Sequence, residues 1–263
     1  MIRALYTATT GMIGMQTQVD TTSNNIANVN TIGYKKQRAE FADLFYQTMQ
    51  YAGTSTSETT ISPTGIEMGL GVRNVAIAKH FSQGNPKETE NNLDIAITGR
   101  GFFQIELPDG TIAYTRDGSF KLDSEGNIVN SEGYPLVPNI TIPEDSTHIN
   151  IGTDGIVSVV QANSTQINTL GQIETTVFIN PAGLHSLGDN LYLNTNASGE
   201  PINGIPGTEG FGLLRQGFIE MSNVKLVEEM TDLITGQRAY EANSKTIQTA
   251  DSMLQTVNTL KRA

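Results

Sequence analysis

Two apolar stripes of helical period, one at each end, constrain this chain more than any other feature. Apolar side chains near the N-terminus recur at alternating steps of three and four residues, as in the a/d seam of a helix that pairs with another helix. The C-terminal end has the same alternation. The stripe positions are Leu5, Ala8, Met12, Met15, Val19, Thr22, Ile26 and Val29, then Leu226, Met230, Leu233, Gln237, Tyr240, Ser244, Ile247, Asp251, Leu254 and Val257. The sequence therefore predicts a long helix at each end.

Each stripe is narrow, and the opposite helix face is polar. Gln237, Ser244 and Asp251 are polar stripe positions, which weaken helix pairing but can fix its register. Ser222 or Asn223 is a candidate N-cap for the C-terminal helix. One alternative is that both helices pack on an ordinary core. Since a helix with so narrow an apolar face needs partners beyond itself, we expect the ends to be completed by assembly.

The middle of the chain predicts short β-strands. From residue 93 onward, Asp-Gly and Glu-Gly pairs typical of hairpin turns recur every 8–12 residues or closer. The segments between them are rich in β-branched and aromatic residues. These segments are 102–107, 111–115, 119–122, 128–130, 134–137, 156–160 and 175–179. The expected fold class is α+β, with long N- and C-terminal helices and a mainly β domain of short strands.

Charge and composition exclude several classes of protein. The net charge is −11, and residues 41–217 hold seven basic and nineteen acidic side chains, which argues against nucleic acid as a partner. The longest apolar run is residues 75–78, so we expect no membrane insertion. No apolar stretch follows Arg3, so no cleaved secretory signal peptide is expected. There is no cysteine.

No catalytic motif is present, and the three histidines are isolated from any metal-ligand spacing. We therefore expect no enzyme activity, no catalytic residue, no metal and no cofactor. A calcium-like pattern at residues 123–127 lacks the EF-hand spacing and is better explained as a tight turn.

Two polar segments flank these elements. Residues 53–65, GTSTSETTISPTG, are typical of a low-complexity linker or an extended arm, and a floppy loop is the simpler alternative. Asn24, Asn25, Asn28 and Asn30 come at the end of the first helix. Asparagine tolerates left-handed backbone and can pair with free carbonyl groups, so these side chains are expected to satisfy the helix end.

Three blocks of sequence carry a resemblance to a known family. Residues 24–36 read NNIANVNTIGYKK, after TATTGM at 7–12. Residues 99–120 read GRGFFQIELPDGTIAYTRDGSF, and residues 217–255 read GFIEMSNVKLVEEMTDLITGQRAYEANSKTIQTADSMLQ. In content and order, these blocks resemble the rod and hook proteins of the bacterial flagellum. The length of the chain resembles that of distal rod proteins, since hook proteins usually carry an extra outer domain.

The resemblance implies a structural subunit of the flagellar basal body that polymerises into the distal rod, the drive shaft from motor to hook. It implies a rod that spans the periplasm, built of subunits exported by the flagellar type III apparatus. The implied partners are further copies of the chain, other rod proteins, the hook protein and the surrounding P- and L-ring proteins. Two alternatives are another axial subunit, of the proximal rod or hook type, and a secreted β-domain enzyme that acts on the cell wall.

The resemblance also implies a division of the chain. Residues 1–30 and 222–263 would form a coiled-coil inner layer, residues 31–92 an arm or linker, and residues 93–221 the outer β domain. Residues 46–65 match the segment associated with a straight, stiff tube, with Ile61 and Pro63 as its anchors. The implied assembly interface comprises Leu5, Met12, Met15, Val19, Asn24, Asn25, Ile26, Asn28, Leu226, Met230, Leu233, Tyr240, Ile247, Leu254 and Val257.

Overall fold

The computed structural model describes residues 2–54, 62–162 and 166–260. Within them, two long helices flank a series of short strands. The helices are α1 (Ile2–Ala27) and α2 (Leu226–Leu260). The strands are β1 (Gln37–Asp43), β2 (Tyr46–Gln50), β3 (Ile66–Gly69), β4 (Val72–Lys79), β5 (Pro86–Glu88), β6 (Ile95–Thr98), β7 (Phe103–Glu106), β8 (Ile112–Thr115), β9 (Lys121–Leu122), β10 (Ile128–Val129), β11 (Leu136–Val137), β12 (Ser146–Ile151), β13 (Ile156–Gln161), β14 (Ile167–Gln172), β15 (Thr175–Val177), β16 (His185–Gly188), β17 (Leu191–Leu193), β18 (Ile202–Gly204), β19 (Leu213–Gln216) and β20 (Phe218–Glu220). The α+β fold class expected from the sequence is confirmed.

The chain divides into two compact units, each discontinuous in sequence. The helical unit comprises Met1–Ile26, Gln37–Ala78 and Lys225–Ala263. The β unit comprises Ala27–Lys36 and Lys79–Val224. The last residue of α1 and the nine residues that follow it thus belong to the β unit, although they lie far from the rest of that unit in sequence.

In the helical unit, α1 and α2 run antiparallel and meet at three levels. A Cβ on Gly11 would lie 2.9 Å from the Asn243 amide nitrogen, and a Cβ on Gly236 would lie 3.1 Å from a methyl group of Val19. The Asn25 amide donates to a carboxylate oxygen of Glu229 at 3.0 Å. As residue numbers rise along α1, the numbers of their partners fall along α2, which defines the antiparallel direction. Glycine on either helix permits this close approach.

Strands β1–β4 complete the helical unit. Strand β1 pairs with β4, and β2 pairs with β3 as an antiparallel hairpin. The strands contact α1, because a Cβ on Gly14 would lie 3.4 Å from the Phe41 ring and the Thr10 hydroxyl lies beside Gly71. Strand β1 is poor in β-branched residues, which is why sequence pattern did not predict it.

The β unit is built from short antiparallel pairs around one apolar core. Its larger sheets have the strand orders β11-β7-β8-β17-β16 and β12-β13-β14. The inward side chains of these and neighbouring strands pack together. The buried core consists of Ile95, Ile97, Phe103, Ile105, Phe120, Ile128, Leu136, Ile140, Ile142, Ile151, Val157, Val159, Ile173 and Leu214. A second cluster of edge-to-face aromatic rings is formed by Phe81, Phe102, Tyr114, Phe178 and Tyr192, with Leu184 beside it.

One local prediction is wrong, and one geometry that asparagine tolerates is not used. In the described part of the chain, the non-glycine residues with positive φ are Asp189 and Asn190, so the asparagines at the end of α1 do not adopt left-handed backbone. The left-handed position is Gly33, at φ +69°. Helix α2 begins after Lys225 rather than at Ser222 or Asn223, because the Asn223 side chain bonds to other segments.

Candidate assembly faces and buried ion cluster

Most of the predicted stripe of α1 is half-buried, while its members Ala8 and Thr22 are buried. Its members Leu5, Met12, Met15, Val19 and Ile26 all keep part of their surface exposed. Apolar side chains outside the stripe, such as Ile13, are more than half exposed. Contacts within this chain therefore cover only part of the apolar surface of α1.

The stripe of α2 is more open. Leu233, Ile247 and Leu254 are half-buried. The other apolar and aromatic stripe residues of α2 are exposed, and they are Leu226, Met230, Tyr240 and Val257. Val227 is the most exposed apolar side chain of this helix, at 78%. An apolar helix surface of this extent is typical of a contact between proteins.

The structure brings two of the predicted residues to one groove. Val19 of α1 and Tyr240 of α2 line a cavity of about 510 Å³, together with Gln16, Gln237 and Glu241. Val19 and Tyr240 supply the apolar part of the lining and the other three side chains are polar, a mixture expected where a side chain of another element inserts.

The asparagines at the end of α1 have different roles. Asn25 is buried, and its amide donates to the Gln37 carbonyl at 2.8 Å while its carbonyl accepts from the Gln37 amide at 2.9 Å. This pairing and the bond to Glu229 join α1, β1 and α2 within the helical unit. Asn28 accepts from the Thr31 hydroxyl at 3.0 Å and forms the turn that ends the helix. Asn24 is exposed.

The segment predicted to govern stiffness, residues 46–65, begins as strand β2 and ends just before β3. Backbone pairs of Gly53 with Ser62 and of Ser62 with Thr54 close its base at 2.9 Å. Pro63 is exposed, and Ile61 lies outside the described residues. Several large apolar side chains of the hairpin point to solvent, and they are Tyr46, Met49, Tyr51, Ile66 and Met68.

The β unit contains a buried ion cluster that sequence reasoning missed. The Lys35 amine lies 2.6 Å from one carboxylate oxygen of Glu220, and Arg116 Nε lies 2.9 Å from the other. Arg116 also donates to the carbonyls of Gly101 at 2.6 Å and Gly99 at 2.9 Å. All three charged side chains are at most 5% exposed. The sequence signal is Glu220, a single charge that follows two apolar residues at the end of strand β20.

The electrostatics of this cluster follow from burial. Burial lowers the pKa of the Lys35 amine; Arg116 acts in the same direction, and Glu220 opposes it. The nearby Tyr192 hydroxyl has its pKa raised to about 12, mainly by burial. The two cationic partners compensate the charge of the buried Glu220 carboxylate, and removal of either partner would leave a buried charge uncompensated.

Neither a metal centre nor a membrane span is found in the part of the chain that the structure describes. No group of three or more His, Asp or Glu side chains there could hold a metal ion. In the same residues, neither α1 nor α2 has a stretch long and apolar enough to cross a bilayer.

Comparison with known proteins identifies the family. The flagella basal body rod protein family matches residues 5–35, the flagellar hook protein FlgE/F/G D1 domain matches residues 96–159, and the flagellar basal body rod FlgEFG protein C-terminal family matches residues 215–260. Lys35, Arg116 and Glu220 fall in three different matches. The buried ion cluster thus joins all three family regions.

Several relatives match along their whole length. The chain is 53% identical over 264 residues to the flagellar basal-body rod protein FlgG of Borreliella burgdorferi, covering 100% of both. It is 52% identical over 260 residues to the FlgG of Buchnera aphidicola subsp. Schizaphis graminum, covering 99% of this chain and 100% of the relative. The flagellar hook-basal body complex protein FlhP of Bacillus subtilis is 33% identical over 276 residues, covering 99% and 100%.

Two long helices with exposed apolar faces, joined to a separately packed β unit, define a subunit of a larger assembly. The chain belongs to the flagellar basal-body rod protein family. The resemblance seen in the sequence is confirmed, and the protein is a structural component of the bacterial flagellar basal body.

Proposed function

We propose that the protein polymerises into the distal rod, the drive shaft that transmits torque from the motor to the hook. Two observations support this proposal: the chain matches FlgG proteins along their whole length, and the apolar face of α2 is exposed. An apolar face that stays open in the single chain provides the surface that a polymer buries.

In this proposal the terminal helices form the inner layer of the tube as a coiled coil. The antiparallel contacts of α1 with α2 supply the first pairing, and the groove at Val19 and Tyr240 receives a neighbouring subunit. The residues of the predicted interface are the ones we expect to lose solvent exposure. The β unit, residues 93–221 above all, forms the outer part of each subunit and needs no neighbour for its core.

The partners follow from this position. A periplasm-spanning rod contacts proximal rod proteins at one end and the hook protein at the other, with the P- and L-ring proteins around it. The flagellar type III apparatus exports the subunits. The protein acts by forming interfaces and has no catalytic activity, so a peptidoglycan hydrolysis assay of the purified chain should show no product.

Electron cryotomography of host cells that lack the gene tests the proposal. We expect basal bodies with a proximal rod but no distal rod, no hook and no filament, restored by the wild-type gene. A complete loss of the rod would instead identify a proximal subunit, and an intact rod without a hook would identify a hook-type subunit. Normal flagella in the deletion strain would contradict any axial role.

A further inference from the structure

Three of the four places where the chain passes between the two units lie within two residues of one polar network in the β unit. These crossings follow Lys36, precede Lys79 and follow Val224. The network joins the three segments that carry these crossings, here called the connectors: residues 33–36, 79–84 and 217–224. Backbone bonds already join parts of these segments, because strand β20 pairs with β5 and the Gly33 amide donates to the Glu220 carbonyl at 2.8 Å. The side-chain network adds further bonds among all three connectors.

Asn223 links all three connectors. Its carbonyl oxygen accepts from the Lys36 amide at 2.7 Å. Its amide nitrogen donates to the His80 carbonyl at 2.8 Å and to the Ser82 hydroxyl at 2.9 Å. The His80 amide in turn donates to the Lys36 carbonyl at 2.9 Å. One side chain thus completes a ring of hydrogen bonds through three segments distant in sequence.

The buried Glu220 side chain also links all three connectors. Its carboxylate accepts from the Lys35 amine at 2.6 Å and from the Gly84 amide at 2.8 Å. The Lys35 amine also donates to the Ser82 carbonyl at 2.9 Å. A Cβ on Gly84 would overlap the Met221 carbonyl oxygen, so glycine alone allows these two connectors to approach so closely.

Packing by apolar side chains would tolerate sliding, whereas this network does not. Buried charged hydrogen bonds have narrow geometry, and separating them exposes an uncompensated charge at a large cost. The connectors are therefore fixed in register by bonds whose loss is costly, at the positions where the chain leaves the β unit.

We propose that the network of Lys35, Lys36, His80, Ser82, Gly84, Glu220 and Asn223, the junction clamp, makes the three connectors move as one and so carries mechanical load between the units. The load-carrying role rests on the proposed function as a drive shaft. The coupling of the connectors does not, and it can be measured on the purified chain.

Amide hydrogen exchange of the purified full chain tests the coupling, with Asn223→Ala as the variant. Among the backbone amides of the connectors, the one that loses its acceptor directly in this variant is that of Lys36. If the connectors are coupled, exchange should accelerate about tenfold at Lys36 and also at the His80 and Gly84 amides, whose own acceptors remain. Acceleration at Lys36 alone would overturn the coupling.

Asn130→Ala is the matched control. The Asn130 side chain likewise accepts from backbone amides, those of Glu132 and Tyr134, but both lie within a single turn of the β unit. Its loss should accelerate exchange at those amides and leave the connectors unchanged.

If Asn223→Ala fails to fold, as judged by its thermal transition, Asn223→Asp replaces it, because this substitution keeps an acceptor for the Lys36 amide but puts a charged oxygen in place of the donating nitrogen. Faster exchange at both the His80 and Gly84 amides would then support the coupling, and unchanged exchange at Gly84 would overturn it.

Swimming of host cells in a medium of raised viscosity tests the load. Cells with Asn223→Ala should carry the normal number of flagella but swim at less than half the wild-type speed, while Asn130→Ala cells match the wild type. Wild-type speed of the Asn223→Ala cells would overturn the load-carrying role. If the wild-type gene itself restores no flagella, the proposed function fails, and the exchange experiment still decides the coupling.

Discussion

The β unit buries most of its apolar side chains, whereas the helical unit leaves many of its own exposed. Among the described residues, all buried apolar side chains except Ala8 and Ala250 lie in the β unit. Most of the large apolar side chains left exposed lie in the helical unit, with Phe45 at 88% as the extreme. The β unit therefore contains its own core, whereas the helical unit presents surface that another subunit can bury. The β unit can thus fold before assembly, and the helical unit is completed by assembly.

The largest expected effect on the free energy of unfolding is the difference between a Phe→Ala substitution in the β unit and one in the helical unit. Phe103→Ala removes a fully buried ring from the core of the β unit and should lower the free energy of unfolding by about 3–5 kcal/mol. Phe45→Ala, in the helical unit, should change it by less than about 0.5 kcal/mol. Urea unfolding of both monomeric variants measures the contrast. Equal losses would mean that the two units share one core.

A smaller loss of stability should appear at alkaline pH, and it should come from the β unit. The folded state raises the pKa of Tyr192 from 10.0 to about 12. Below pH 10 both folded and unfolded chains keep this proton, and between pH 10 and 12 only the folded chain keeps it. Stability should therefore fall as pH rises through this window, by about 1–3 kcal/mol.

The control for this pH effect is Tyr192→Phe, which has no proton to lose. Urea unfolding at pH 9, 10 and 11 should give a shallower decline in the variant than in the wild type. Identical declines would show that other groups cause the alkaline loss.

Charge on the exposed face of α2 should leave the monomer nearly unchanged yet prevent assembly. Met230 is 51% exposed, so Met230→Asp should shift the free energy of unfolding by less than about 0.5 kcal/mol. In a polymer the same carboxylate would be buried without a partner, at a cost of several kcal/mol. Sedimentation should detect no polymer.

The control on the same helix is Gln248→Asp, which adds the same charge at an exposed polar position. This variant should polymerise. If Met230→Asp polymerises as well, the exposed face of α2 is not an interface.

The smallest effect on folding should come from deletion of residues 54–64. Backbone pairs hold this segment at its base, and its described residues bury no apolar side chain. The melting temperature of the monomer should be almost unchanged, while rods in electron micrographs should change in length or straightness. A deletion that unfolds the monomer would assign the segment to a core, and normal rods would make it a plain loop.

Local patterns predicted much of the fold. The alternating steps of three and four located both helices, and turn pairs bounded strands such as β8, expected at 111–115 and found at Ile112–Thr115. Strands β1–β5 were not predicted individually. Strand β1 is QRAEFAD, which carries neither strict alternation nor β-branched residues, so its pairing depends on β4 and not on its own sequence.

The buried ion cluster could not be predicted for a different reason. Lys35 and Glu220 are 185 residues apart in the chain, and sequence periodicity reports only on neighbours. A lysine or an arginine is ordinarily a surface residue, so Lys35 and Arg116 gave no sign of burial. Only the apolar neighbours of Glu220 in strand β20 marked a charge in an unusual place.

Hydrogen exchange in monomer and polymer tests the difference between the two units most directly. Amides of α1 and α2 should exchange rapidly in the monomer, because their apolar faces are open, and should become strongly protected in the polymer. Amides of the β core, such as those of β7 and β13, should be protected to a similar degree in both states. Equal protection of the helices in monomer and polymer would contradict the claim that assembly completes the helical unit.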